Sequence, residues 1–573
     1  MLHRANFSSI RLNGPTGKLL QGVQDNWLLG LEARNPAILD IFRDRDVMPY
    51  RDLLPWSGEF AGKHITGAYY VWQLTRNQQL YDETIAFIDS LIACQDADGY
   101  LGCFSKKCRL TGAFSQNPEK TGETWDSWGH YHAMFGLMLW HEVTGKEEYM
   151  QAVIRMAELF LNTFYSGKPA LVSIGSSEMN LSVMHAFVLL YEKTGDARYL
   201  EFARNIEKDL PDPAAGDYMG YALSGMEFYQ CPKPRWESLH VIMGLAEMYR
   251  ATGEEKYLQA TTQIFHSILK TDVHNTGGFS TREQAVGNPY EEGAIETCCV
   301  LAYNALGSLL AEITGDLRII DHLETSHYNA MMGSFSLTGA WSTYDTPMNG
   351  TKKANYHDIV FQSRPGSPEL NCCSVNAPRG LAQVGDWAVM QDEDTLYVNL
   401  YEPLEAVLSD GTSLTVTGGY PYDGNVSLKL GTNGRSVRLA LRFPAWSKET
   451  TVAYRGTNCA AAPGEYFIIE DAADEEISLS LDFSLRVEEG RMDCAGKACV
   501  HMGPILFGMD ASLNRSLNLD SLPGWTKEEF LAASLSFADK GRVNLTLPCG
   551  AVLSDFYHLG QTGCLYRTWL PLK

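Results

Sequence analysis

The chain has 573 residues, 45% hydrophobic and 20% charged, the make-up of a globular protein of several domains rather than a disordered or fibrous one. Its 46 basic and 69 acidic residues leave a net charge of −23 at pH 7. That sign opposes nucleic acid or an anionic membrane as partner, since both require a basic face.

The first residues, Met1-Leu2-His3-Arg4-Ala5-Asn6-Phe7, do not lead into the short apolar core of a signal peptide. No apolar run of about 18 residues offers a membrane span. Thirteen cysteines, an odd number, read as reduced thiols or metal ligands rather than a disulfide framework. The expected compartment is the cytoplasm.

Up to residue 385 the chain carries a diffuse repeat. Thr144-Gly145-Lys146-Glu147-Glu148-Tyr149, Thr194-Gly195-Asp196-Ala197-Arg198-Tyr199 and Thr252-Gly253-Glu254-Glu255-Lys256-Tyr257 are its clearest copies. Thr314-Gly315-Asp316 is a fourth and Thr75-Arg76-Asn77 a degenerate one. Each lies between amphipathic runs, so each reads as the turn of an αα-hairpin. Gly takes the left-handed position that ends one helix, and the following residues start the next. The copies recur at roughly 50–70 residues, too long for the common short solenoids. About six such hairpins fit, which can close into an (α/α)6 toroid or stack as an open helical array.

Two segments within this part are dense in rings and polar groups: Trp125-Asp126-Ser127-Trp128-Gly129-His130-Tyr131-His132 and Arg235-Trp236-Glu237-Ser238-Leu239-His240. Sugars offer apolar faces to rings and hydroxyls to His, Glu and Tyr, so the clusters suit a carbohydrate pocket. Ordinary core packing with one satisfied histidine each is the blander reading and the commoner outcome for such clusters. Next, Gly277-Gly278-Phe279-Ser280-Thr281-Arg282-Glu283-Gln284 reads as a loop. It either carries Glu283 to the mouth of a helical barrel or leaves it solvated, with Glu291 and Glu292 as nearby rivals.

Glu296-Thr297-Cys298 heads an apolar run, and Cys372-Cys373 follows much later. One carboxylate and three thiols match a four-coordinate zinc site, and a thiolate is a strong nucleophile near neutral pH. A disulfide between neighbouring cysteines is badly strained, so the vicinal pair argues for thiols. If the four do not converge, they are buried cysteines and a surface acid. Cys299 reads as a core residue.

After residue 385 the pattern alternates with period two, as in Thr395-Leu396-Tyr397-Val398, Val437-Arg438-Leu439-Ala440-Leu441 and Ile477-Ser478-Leu479-Ser480-Leu481. Asp410-Gly411, Gly418-Gly419 and Asp423-Gly424 punctuate it. Antiparallel β-sandwiches are expected. The whole is therefore multidomain, α plus all-β: an (α/α)6 barrel over 1–385, a β-sandwich over 386–487 and a C-terminal one over 488–573. A sandwich face can serve a homodimer or simply brace the barrel.

Together these segments resemble the β-L-arabinofuranosidase-like cysteine glycosidases of glycoside hydrolase families 127 and 146. The likeness is most specific at Glu296-Thr297-Cys298, at Cys372-Cys373 with Asn376 and Arg379, and at Tyr328-Asn329 after Glu324. It continues through Leu441-Arg442-Phe443-Pro444-Ala445-Trp446 and Met502-Gly503-Pro504. The resemblance implies an (α/α)6 barrel followed by β-sandwiches. It implies Zn2+ held by Glu296, Cys298, Cys372 and Cys373, with Cys372 as nucleophile and Glu283 as general acid/base. It places His130, His240, Glu324, Tyr344 and, by a weaker match, His64 at the sugar hydroxyls. The implied activity is that of a retaining exo-glycosidase removing terminal β-L-arabinofuranose, or a related furanose-like sugar, through a cysteine thioglycoside. The loop between Glu283 and Glu296 and the Ser374-Val375 pair depart from many arabinofuranosidases, which bears on the substrate more than on the machinery. Two other readings remain: a lyase or epimerase on the same toroid, and a non-catalytic zinc-containing carbohydrate-binding protein.

Overall fold

The structure, a computed structural model, describes residues 1–51, 53–113, 123–354 and 371–573. Twelve helices carry the argument: α1 (Pro15–Val23), α2 (Glu59–Thr75), α3 (Gln78–Ile92), α4 (Asp126–Thr144), α5 (Glu147–Phe164), α6 (Val183–Thr194), α7 (Ala197–Asp209), α8 (Ser238–Thr252), α9 (Glu255–Thr271), α10 (Thr297–Thr314), α11 (Leu317–Ser326) and α12 (Cys372–Ala382). The even-numbered helices touch in the order α2, α4, α6, α8, α10, α12, and α12 returns to α2. A closed ring results, with the odd-numbered helices outside it. The inner helices α4, α8 and α10 are buried on nearly every side. The outer α5 buries a stripe through Tyr149, Val153, Met156 and Phe160, as expected of a helix with one wet face.

The Thr-Gly repeat makes the turns between the layers. Gly145, Gly195, Gly253 and Gly315 have φ of 64, 71, 70 and 67°, the left-handed region glycine enters without cost. The preceding threonine works twice. Thr194 donates its hydroxyl to Leu190 O at 2.7 Å and accepts from Asp196 N at 3.3 Å, and Thr144, Thr252 and Thr314 repeat the pattern. Asp196 and Asp316 then cap the next helices. In the degenerate copy Arg76 takes the left-handed conformation and Asn77 caps α3.

Helix α10 is long and apolar enough to cross a membrane by composition, but 78% of that window is buried inside the molecule, as in a core helix.

A five-stranded and a seven-stranded sheet are built mainly from residues 389–480, and a nine-stranded sheet from residues 485–571. The pairs are antiparallel apart from Val437–Arg442 against Thr395–Val398. Strands such as Leu404–Leu408 alternate buried and exposed residues, as half-buried sheets do. The chain crosses between layers. The sequence reading places residues 1–385 in the helical domain, yet His3–Arg4 and Phe7–Leu12 pair with strands of the five- and seven-stranded sheets. Asn349–Gly350 likewise joins the nine-stranded sheet. Asn329, on the barrel, donates to Pro504 O and accepts from Leu506 N, both at 2.8 Å.

Candidate active site and metal centre

The N-termini of two neighbouring inner helices meet. Strand β1 (Ala294–Glu296) pairs with β2 (Asp345–Pro347), placing Glu296 opposite Asp345. Glu296 is extended, with φ −68° and ψ 135°, and enters α10 as its N-cap. That kink brings its side chain round beside Cys298, although residues two apart on one helix do not share a face. Helix α12 starts at Asn371, whose side chain accepts from Ser374 N at 2.9 Å, while Asn371 N donates to Ser374 Oγ at 2.8 Å. This capping box puts Cys372 and Cys373 in the first turn.

The Glu296 carboxylate and the sulfurs of Cys298, Cys372 and Cys373 lie within 4.8 Å of one another, all buried. Cys373 Sγ is 3.3 Å and Cys372 Sγ 3.8 Å from Glu296 Oε1, and the two sulfurs are 3.8 Å apart. Asn376 donates to Cys298 Sγ at 3.6 Å. Cys299, also buried, sits 3.7 Å from the other Glu296 oxygen. Both helix dipoles aim their positive ends at the cluster, each worth about 0.3–1 kcal/mol toward a negative charge.

Burial, and then the charge on Cys372, pushes the Glu296 carboxyl well above the usual range. For Cys298, burial is outweighed by thiol hydrogen bonds from Cys372 and Cys373 and by the Lys63 ammonium, which bring it down to about 6. The hydrogen bond to Cys298 pushes Cys372 up to about 12. One sulfur thus takes the charge while its neighbours keep protons. A divalent cation is the partner that lets all four be anionic at once. The donors fit zinc: three thiolates and a carboxylate are a borderline-soft set, and Zn–S bonds of about 2.3 Å imply tetrahedral S···S distances of about 3.8 Å.

Glu283 approaches from the loop before β1. Gly277 has φ 75°, and a Cβ there would meet the Ser326 backbone at 2.7 Å. Thr281 bridges Ile295 of β1. Arg282 and Glu283 hold φ of 59 and 61°, a conformation that costs non-glycine residues on the order of 1 kcal/mol each. The loop is tied to the segment before α8: Trp236 N donates to Glu283 O at 3.2 Å and Ala285 N to Pro234 O at 2.9 Å. The Arg235 guanidinium lies 2.8 Å from both Glu237 and Glu283, and the Tyr344 hydroxyl donates to Glu283 Oε1 at 3.4 Å. Tyr344 also accepts from Thr297 N at 2.8 Å, so one short strand ties Glu283 to the cysteine cluster.

The sequence reading did not single out Glu59 and Lys63, one turn apart on α2. They form a buried ion pair of 2.9 Å. Lys63 Nζ lies 5.5 Å from the ring centroids of Trp128 and Trp236, and its charge reaches Cys298 and Cys372. Trp128 Nε1 donates to Glu59. Burial, offset in part by Lys63, raises the Glu59 carboxyl to about 7. His240 hydrogen-bonds Tyr131 through Nδ1 at 2.8 Å, while its Nε2 and both ring nitrogens of His132 are buried without partners. Unpaired buried polar atoms around Trp128, the ring that Lys63 faces, are what a hydroxylated ligand would satisfy. The signal was the i, i+4 spacing Glu59/Lys63 and Trp128/His132 on inner helices.

Helical phase also moves two expected sugar contacts. His64, next to Lys63, turns to the outer layer and packs edge-on to Phe87 of α3 at 4.8 Å. Burial lowers its pKa to about 4. His130 likewise packs edge-on to Phe160 of α5, and its ring nitrogens are taken by Asp126 O at 2.8 Å and Leu101 N at 3.2 Å. Glu324 is not at the cluster's hydrogen bonds either. It is fully buried against the β region, 2.6 Å from Arg442 and 3.2 Å from Trp446 Nε1, with the Tyr420 hydroxyl donating to it. These partners occupy both of its oxygens, which leaves it an inter-domain tie.

A family model described as β-L-arabinofuranosidase, GH127 catalytic domain, matches residues 38–386, and one described as the GH127 middle domain matches residues 395–485. A non-reducing end β-L-arabinofuranosidase of Bifidobacterium longum subsp. longum is 22% identical over 472 residues, 73% of this chain and 70% of its own. Among solved structures, a GH127 β-arabinofuranosidase superposes with a TM-score of 0.81 at 20% identity, covering 100% of this chain and 98% of the other. A GH127 β-L-arabinofuranosidase from Geobacillus stearothermophilus T6 gives 0.77 at 17% identity over 99% of this chain and 100% of its own. At such identities the superpositions speak to the fold.

Proposed function

Since the chain belongs to the GH127 β-L-arabinofuranosidase family and is a glycoside hydrolase, we propose that it removes terminal β-L-arabinofuranose, or a closely related furanose, with retention of configuration. The observation that carries this reading is the convergence of Cys372, Cys373, Cys298 and Glu296 within 4.8 Å, with Glu283 tied to it through Tyr344.

Glu283 gives its proton to the glycosidic oxygen as the bond to the anomeric carbon breaks. Cys372 Sγ attacks that carbon, and the product of the first step is a thioglycoside. Glu283, now a carboxylate, takes a proton from water. The resulting hydroxide displaces the sulfur, so two inversions restore the starting configuration. Arg235 orients Glu283, and Tyr344 holds its other oxygen. Lys63 places a fixed positive charge near the sulfurs, favouring a thiolate over a thiol. His240 and His132 offer ring nitrogens to sugar hydroxyls.

Glu296, Cys298, Cys372 and Cys373 are the residues that hold zinc in this reading. Bound there, the metal supplies the positive charge that keeps the thiols deprotonated and makes the sulfur a better leaving group.

The test is a panel of aryl furanosides and pyranosides of both hands, with product configuration followed by NMR. Release of β-L-arabinose from the β-L-arabinofuranoside alone supports the reading. An ultraviolet-absorbing unsaturated product indicates a lyase, and binding without turnover a carbohydrate-binding protein; either overturns it.

A further inference from the structure

A second group of metal-ligand types lies in the C-terminal sheet. Strands β3 (Leu485–Glu489) and β4 (Lys497–Met502) run antiparallel, with Glu488 opposite Cys499 and Arg486 opposite His501. Directly opposite residues share a face of the sheet, as do residues two apart on one strand. All four side chains therefore share one face. On it a Glu488 carboxylate oxygen, Cys499 Sγ and a His501 ring nitrogen lie within 4.8 Å of one another, and Cys499 Sγ is 3.4 Å from His501 Nε2.

That face borders a cavity of about 700 Å³ between the sheet and the barrel, lined by Glu488 and His501 on one side and by His274 and His322 on the other. A ring nitrogen of each barrel histidine is buried without a hydrogen-bond partner. His274 is 4% exposed. Buried imidazole nitrogens normally find partners, so these mark a place where a ligand or its bound water is expected.

We propose that Glu488, Cys499 and His501 form a second metal site, separate from the cysteine cluster, for a borderline-soft divalent cation of the zinc class, with an open coordination position facing the cavity. One thiolate, one imidazole and one carboxylate are each ordinary zinc ligands, and three protein ligands with a vacant position is the arrangement that lets a metal exchange ligands. The charges balance. Binding releases the Cys499 thiol proton to solvent, and the Cys499 and Glu488 anions then match a dication. The neighbouring Arg486 cation, which also lines the cavity, faces Asp482 first and Glu488 after it, and Arg491 is a second cation near Glu488. This proposal does not depend on zinc at the cysteine cluster, because it is read as a difference between wild type and variant.

The full-length chain is stripped of metal and titrated with zinc against a competing chromophoric chelator, then with cobalt(II) followed by its thiolate charge-transfer band. Wild type is expected to bind one equivalent more than Cys499→Ser or His501→Gln, with the cobalt band reduced in the variants. Thermal melts of the same samples establish that they are folded. Should either variant fail to fold, Glu488→Gln, at the exposed side of the site, serves instead. It is expected to lose tight binding of that one equivalent, because a neutral amide replaces a carboxylate ligand. Equal stoichiometry and affinity in wild type and the folded variants would overturn the proposal.

Discussion

Glu324 of α11 and Arg442 of the β region meet at 2.6 Å with neither side chain exposed. Arg442 also contacts Asp321 at 2.5 Å, one turn earlier on α11, and donates to Asn399 O at 2.9 Å. Helical layer and sheets are thus joined by a desolvated ion pair. Arg442→Met, which strands Glu324 in the interior, should cost roughly 3–5 kcal/mol, read as a lower denaturant midpoint. Glu324→Gln should lower the melting temperature while leaving KM unchanged. A raised KM in a stable Glu324→Gln protein would return this residue to the sugar site.

The division of labour between Cys372 and Glu283 is checked by two variants with different signatures. Cys372→Ala should abolish turnover while leaving the fold intact, because the covalent intermediate is assigned to its sulfur and not to the neighbouring thiols. Glu283→Gln should lower kcat roughly 10²–10⁴-fold. Azide should restore part of it when the leaving group is activated, since azide needs no base. Near-normal turnover by Cys372→Ala would sink the assignment.

Lys63 is a further target. Lys63→Met leaves the Glu59 carboxyl buried without its partner, an expected loss of roughly 3–5 kcal/mol. Replacing both, Lys63→Met with Glu59→Leu, should recover much of that stability. The activity should not return, because the positive charge near the sulfurs is still missing. Denaturant titration and kcat/KM on the same three proteins separate the two effects.

Metal removal has its own signature. Dialysis against a strong chelator should abolish hydrolysis and lower the melting temperature, and zinc should restore both. Cys298→Ser should bind zinc more weakly than wild type in the same titration. Full activity in a protein shown by elemental analysis to be metal-free would refute the role assigned to zinc.

The far side of the ring carries a pH response. Burial raises Glu247 from 4.5 to about 8 and Glu312 from 4.5 to about 7. The folded state therefore holds these protons more tightly than the unfolded chain between about pH 4.5 and 8. Stability from this source is fully present below pH 4.5 and is lost as pH rises through 7 to 8. Melting temperature should fall across that window, and Glu247→Gln should flatten the fall.

Several features were legible from local chemistry. The Thr-Gly turns follow from the left-handed conformation glycine accepts, and all four full copies adopt it. Glu296 and Cys298 could be paired because an extended residue entering a helix swings its side chain beside the second helical residue. Helical phase was harder. His64 and His130 stand beside true inner-face residues in sequence, but about 100° per residue carries each to the outer layer, against Phe87 and Phe160. Glu324 is set by a different effect: its partners Arg442, Tyr420 and Trp446 come from the β region, and no local pattern announces contacts 96 to 122 residues away.

What the sequence determined alone was everything set by nearest neighbours along the chain. Helix ends, strand alternation, the vicinal thiols and the acid loop all depend on backbone preferences and side-chain types within a few residues. The tertiary structure decided which of these groups meet. The α10 and α12 N-termini meet because the ring closes; Lys63 joins them because α2 packs against α12; and Glu283 arrives because its loop is tied to both β1 and the start of α8. Charge and burial act through space, so the site became a site only when the ring brought those ends together.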